Sequence, residues 1–183
     1  MPQLFKEFYP TTRCIIDATE LFIQSPSNPQ AQQLTFSSYK NHNTLKALVC
    51  ITLSGAISFI SKLHGGSISD RELFEKSGLL DLLEPGDSVM ADRGFTIADL
   101  LDAKGVNLNI PPTKVTVNDQ LSETELITTR RIAALRIHVE RAIGRVKNFK
   151  ILNDIPNNMS RITDQIFFVC SMLCNFSSPL CIK

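Results

Sequence analysis

The sequence predicts an α/β domain, a mixed five-stranded sheet flanked by helices. Five short apolar, β-rich runs precede Pro111. The first three follow one another with only turns or loops between them, whereas the last two are set apart by stretches of helical pattern. A long stretch of helical character then runs from Gln120 to Lys147. Strands joined by short turns pair antiparallel and strands joined through helices run parallel, so both kinds of pairing are expected in one sheet.

The elements follow in order. Residues 1–12 hold two prolines and read as a lead-in. Arg13 to Ile23 is the first strand, an apolar run with a carboxylate inside it. Ser25 to Gln33 is polar, contains Pro26 and Pro29, and reads as a loop. Leu45–Ile51 and Ala56–Leu63 flank Thr52-Leu53-Ser54-Gly55, the pattern of an antiparallel hairpin. Ser69 with Glu72 three residues on fits a capping box, which predicts a helix running to about Leu83. Glu84-Pro85-Gly86-Asp87 is a turn, and Ser88 to Asp92 is the fourth strand. A short helix is expected from Ile97 to Ala103, stopped by Gly105, and Val106 to Ile110 is the fifth strand. Pro111-Pro112 ends it. The last helix is expected from Arg161 to Asn175. This strand order is that of the ribonuclease-H-like fold. The domain is expected to span 13–178, with 179–183 as a tail.

The bulk numbers narrow the function classes. The chain has 183 residues, 43% apolar and 20% charged, as expected of one globular domain with a sizeable core. Net charge is +1, so any nucleic-acid contact has to come from a local basic face. No apolar run is long enough to span a bilayer, and the start is not a secretory signal. The five cysteines form no CxxC pair and read as free thiols of a reducing compartment. Cys170 and Cys174 are four apart on an apolar helix, a core pattern more than a zinc site. There is no P-loop and no Ser/His/Asp or Cys/His nucleophile arrangement.

Three acidic residues carry the chemistry. Asp17 lies inside the first strand, Asp92 ends the fourth just before Arg93-Gly94-Phe95, and Glu140 sits in the long helix. A carboxylate in a buried strand is costly unless its charge is compensated. Three that converge point to a divalent cation, Mg²⁺ or Mn²⁺ and as a pair, since oxygen ligands suit hard ions. On the long helix Ile132, Leu135, Val139, Ala142 and Val146 form one apolar stripe. Glu140 lies on its flank with Arg136 and Lys147. Each carboxylate has a plainer reading: Asp17 as a cap or ion-pair partner, Asp92 as a turn residue, Glu140 as a solvated partner of Arg136. Glu20, three residues after Asp17, falls on the opposite strand face and reads as structural. Asp70 reads as a helix-start residue. Arg93, Arg136, Lys147, Lys40, His42, Lys46 and Lys114 are the candidate phosphate contacts.

Five blocks, in order, resemble the DDE superfamily endonuclease domain of Harbinger-like transposases and their domesticated relatives. They are Ile15–Glu20, Ser38–Lys46, Gly65–Asp70, Pro85–Asp87 with Ala91–Phe95, and Arg136–Ile143. The resemblance implies Asp17, Asp92 and Glu140 as the catalytic, metal-binding triad of a nuclease acting on DNA phosphodiester bonds and leaving 3′-hydroxyl ends. Its alternative is a catalytically silent descendant that binds DNA or protein. Relatives often have Cys where Ala18 stands and Trp where Phe36 and His64 stand. They also have a lysine-rich loop where Thr113–Asn118 carries one lysine. They commonly carry an upstream DNA-recognition module; none precedes Arg13, so a separate DNA-binding chain or an upstream module is the expected partner. A homo-oligomer and a nuclear location, with a cytoplasmic pool as alternative, are the remaining expectations.

Overall fold

The computed structural model describes residues 7–112 and 122–180. Seven strands form one mixed sheet. β1 (Thr12–Phe22) pairs antiparallel with β3 (His42–Ile51), with Asp17 opposite Val49 and Glu20 opposite Lys46. On its other side β1 pairs parallel with β6 (Ser88–Met90), and β6 pairs parallel with β7 (Asn107–Asn109). Three short strands share the outer edge of β3: β2 (Phe36–Ser37), β4 (Ile57–Ile60) and β5 (His64–Gly65). The result is five ribbons wide. It is consistent with the ribonuclease-H-like order expected from the sequence.

The predicted elements are present with shifted ends, and two differ in kind. Part of the expected Ser25–Gln33 loop is a helix, α1 (Pro29–Thr35). Asn28 caps it by accepting from the Gln30 and Ala31 amides, and Pro29 stands in its first turn, where no intrahelical amide partner is needed. The expected helix after Ser69 is split. α2 (Asp70–Ser77) stops at Gly78, whose φ of 79° is left-handed, and α3 (Leu79–Leu82) restarts beyond it. Ser69 caps α2 through the Glu72 amide as expected, but the Glu72 carboxylate pairs with Lys76. α4 (Ala98–Asp102) leads to Gly105 (φ 70°) and β7.

α5 (Glu123–Lys147) is the long helix. Ser122 and Glu125 close a reciprocal capping box at its start, and Arg145 and Lys147 complement the dipole at its end. Its predicted stripe is buried, with Ile143 added. That stripe meets Ile15, Leu21, Ala47, Val49 and Met90 on one face of the sheet, where α6 (Thr163–Cys174) joins through Phe167, Cys170 and Cys174. The other face packs Ile16, Leu48 and Val89 against Phe74 of α2 and Leu101 of α4. Cys14, Cys50, Cys170 and Cys174 are buried free thiols. Among the described residues no helix is long and apolar enough to cross a membrane.

The pairing of β1 with β6 ends at Ile15 opposite Met90. Beyond that pair β1 runs on with β3 on one side and an open edge on the other until Phe22, where the Ile155 segment joins it. The α5 stripe holds Glu140 over this edge. Leu135→Ala removes a fully packed side chain from that interface and is expected to lower stability by about 2–5 kcal/mol, read by urea unfolding.

Candidate active site

The open edge of β1 is the floor of a cleft of about 620 Å³. Asp17, Asp92 and Glu140 all line it, from three separate elements. Asp17 comes from β1, Asp92 from the turn two residues after β6, and Glu140 from α5. The strand Ser88–Met90 is shorter than expected, so Asp92 belongs to a turn closed by the Phe95 amide bonding the Asp92 carbonyl at 3.1 Å.

The three carboxylates are held differently. Asp17 Oδ1 accepts from the Ala18 amide at 2.9 Å. Burial pushes its pKa up to about 6, and the charges of Asp92 and Glu140 add to that rise. Arg136 and the Ala18 amide work in the opposite direction. Asp92 Oδ1 accepts from the Arg93 amide at 2.8 Å and forms an ion pair with Arg136 Nη1 at 3.1 Å. The Asp92 side chain is 52% exposed and that of Arg136 only 11%, so the guanidinium is the buried partner. Glu140 is exposed and has no ion pair among the described residues. The solvated Glu140–Arg136 pair that a helix favours is therefore absent: Arg136 reaches across to Asp92.

A rim of cations and one aromatic surrounds the acids. Lys40, Lys46 and Lys147 line the cleft. Lys46 Nζ pairs with Asp70 at 2.7 Å and donates to the Ile68 carbonyl. Lys147 is partly buried, and desolvation, with Lys40 nearby, lowers its pKa against the opposing pull of Glu20 and Asp17. Tyr39 is 85% exposed and carries Lys40 Nζ 4.5 Å from its ring centroid. His42 lines the adjoining pocket instead. Arg93 gives Asp92 its backbone amide, and its side chain is exposed away from the cleft lining. Lys114 lies outside the described residues. Of the other charges on α5, Arg131 stacks on Phe8 and Arg145 donates to the Ser178 carbonyl at 2.6 Å.

Glu20, read from the sequence as structural, and Asp70, read as a helix-start residue in a loop that this fold can bring near the site, both line the cleft. Strict alternation sends Glu20 to the face opposite Asp17, and its Oε2 does accept from Thr44 Oγ1 at 2.7 Å. Where β1 has β3 alone beside it, however, side chains of both faces border the open edge. Asp70 reaches the cleft because its helix begins there: a side chain at Gly94, in the Asp92 turn, would stand 3.4 Å from Asp70 Oδ2. Tyr39 carried no signal beyond its place between Ser38 and Lys40. Thr19, two residues from Asp17 on the same strand face, also lines the cleft. Its Oγ1 and the Arg136 Nε are buried without a hydrogen-bond partner among the described residues. Both can donate to an oxygen that enters.

The donor set fits a hard divalent cation: three oxygen ligands in one cleft, one of them desolvated and repelled by the other two. Among the described residues, no three His, Cys, Asp or Glu side chains are gathered as a ready ligand set. Side-chain rotation has to bring them together, and Arg136 holds Asp92 in its present position.

The raised pKa of Asp17 has a definite sign. The folded chain binds this proton more tightly than the unfolded chain does, so stability from this group falls as pH rises from about 4 through about 6. Asp17→Asn is therefore expected to stabilise the protein at pH 8, by on the order of 2 kcal/mol, and to leave it nearly unchanged at pH 4. Thermal unfolding at the two pH values reads this. Arg136→Met is expected to raise the Asp17 pKa above its value of about 6, read by carboxyl-carbon NMR titration.

The whole arrangement lies within one family match. A family model described as DDE superfamily endonuclease matches residues 16–175, most of the chain. The span includes all three carboxylates and ends just beyond α6. No curated protein and no solved structure gives a significant match. The matched span shows that the chain belongs to the DDE superfamily endonucleases.

Proposed function

We propose that this chain is the catalytic domain of a divalent-metal-dependent DNA endonuclease of the Harbinger-like transposase type, hydrolysing phosphodiester bonds to leave 3′-hydroxyl ends. The observation that carries the reading is the meeting of Asp17, Asp92 and Glu140 in one lysine-rimmed cleft. Asp17, Asp92 and Glu140 would hold the cation, two ions of Mg²⁺ or Mn²⁺ in the full site. The chemistry such ions would supply there is activation of a water and stabilisation of the leaving oxygen.

The chain's own residues do the rest. Lys40, Lys46 and Lys147 draw the DNA backbone to the rim. Lys147, partly buried beside the acids, places a positive charge near the phosphate on which charge builds up. Arg136, released from Asp92, has a buried Nε able to donate to a phosphate oxygen. Tyr39 offers an exposed ring to a neighbouring base or sugar. Sequence recognition comes from a separate chain or an upstream module, and action on chromosomal DNA places the protein in the nucleus.

One observation favours a silent, DNA-binding descendant. The Asp92–Arg136 pair satisfies the Asp92 charge within the protein. Calorimetric titration of Mn²⁺ into the purified chain decides between the two. Saturable binding that falls at least tenfold in both Asp92→Ala and Glu140→Gln is expected of the nuclease. Binding that is absent or indifferent to both substitutions supports the silent reading. Cleavage of DNA with Mn²⁺ present, lost in the same variants, is the expected companion result.

A further inference from the structure

A second pocket, about 440 Å³, adjoins the catalytic cleft. Glu20 and Lys147 line both cavities, so the two are one side chain apart. Its floor is apolar: Leu21 and Leu152 are each 2% exposed. Phe22, 45% exposed, forms one wall, and His42 meets it edge-on with ring centroids 5.1 Å apart. Asn153 and Asp154 supply polar groups at the rim.

The pocket is preformed. The Ile155 amide donates to the Phe22 carbonyl at 2.9 Å, and the Gln24 amide donates to the Ile155 carbonyl at 2.9 Å. These bonds fasten the 152–155 segment to the end of β1. Asn41 (φ 51°) and Asp154 (φ 50°) are the two non-glycine residues with left-handed backbone among the described residues. One precedes His42 and the other lines the pocket. Backbone held in this region needs surrounding structure to keep it there, and such residues gather at ligand sites.

We propose that this pocket receives an unstacked nucleobase of the DNA whose backbone lies in the catalytic cleft. The proposal rests on the DNA-cleaving reading of that cleft. Paired, stacked DNA presents charged backbone and polar groove edges; its apolar faces appear only when a base leaves the stack. An apolar floor, an exposed aromatic wall and amide and carboxylate groups at the rim match a base, with faces to stack and edges to hydrogen-bond. The shared Glu20 and Lys147 put that base beside the stretch of backbone held at the acids. Unstacking is least costly for a base that is already unpaired, so the pocket favours DNA with an unpaired nucleotide.

The test compares two labelled duplexes of one sequence, binding the full chain in EDTA. One carries a single unpaired 2-aminopurine and the other is fully paired. Fluorescence anisotropy is expected to show about tenfold tighter binding of the unpaired duplex, the scale of one base stacked on an aromatic ring. Its 2-aminopurine emission should fall on binding. Phe22→Ser, a change at a half-exposed side chain, is expected to bind the two duplexes alike and to remove the emission change. Asn153→Ala, at an exposed rim residue, is expected to reduce the preference in part. Paired DNA bound equally well, or a preference that survives in both variants, overturns the pocket assignment and leaves the cleft reading standing. Binding of neither duplex likewise overturns the pocket assignment, while the cleft reading stands or falls on the Mn²⁺ titration.

Discussion

A carboxylate in the middle of a β-strand sets the problem that the rest of this structure solves. Asp17 is flanked by Ile15, Ile16 and Thr19, all buried, and its own burial disfavours the charged form. A strand with partners on both sides offers such a group little help, because its amides are committed to the ladder; here the Ala18 amide is left to donate to Asp17 Oδ1. The relief comes from the edge. β6 stops pairing opposite Ile15, so Asp17 sits where the sheet has lost one neighbour and a cleft begins. Shortening β6 thus creates the site as directly as any residue in it.

The helix that closes the site is held by apolar contact, not by the acids it serves. The buried stripe of α5 packs on β1 and β3 and sets the rotation of the helix. Glu140 then projects beside the stripe and Arg136, one turn earlier, projects toward Asp92. Like charge among Asp17, Asp92 and Glu140 works against this gathering, and Arg136 offsets part of it. The site is consequently a strained local arrangement held by a core that has no part in the chemistry. Such trade-offs of stability against function are common at active sites.

Around the acids the charges are arranged in two manners. Lys46 is tied to Asp70 and Arg136 to Asp92, both ion pairs with a buried or half-buried cation. Lys40 rides on the exposed Tyr39 ring, and Lys147 is partly desolvated beside the carboxylates. The paired cations also keep the acids in place, and Lys40 and Lys147 line the cleft without an ion pair among the described residues. A chain with a net charge of only +1 can in this way present a local positive rim.

Much of this was legible from residue order. The apolar run around Asp17, the hairpin, the capped start at Ser69 and the α5 stripe are local patterns, decided by neighbours within a few positions. They were sufficient to place the strands, the long helix and the three acids along them. Local reading went astray in two ways, by weighing local signals wrongly and by lacking tertiary facts. Asn28 and Pro29 start a helix inside what read as a loop, because cap and first-turn proline outweigh a polar composition. Gly78 breaks an expected helix because its left-handed backbone ends one turn and starts another. Glu20 keeps its alternation and still borders the cleft, because β1 there has one neighbour and side chains of both faces reach its open edge. The pairing of Arg136 with Asp92, the burial that raises the Asp17 pKa and the pocket beneath Phe22 exist only once elements far apart in sequence meet. The sequence by itself determined which residues could form the site; where β6 ends against β1, a property of the sheet, decided which of them share it.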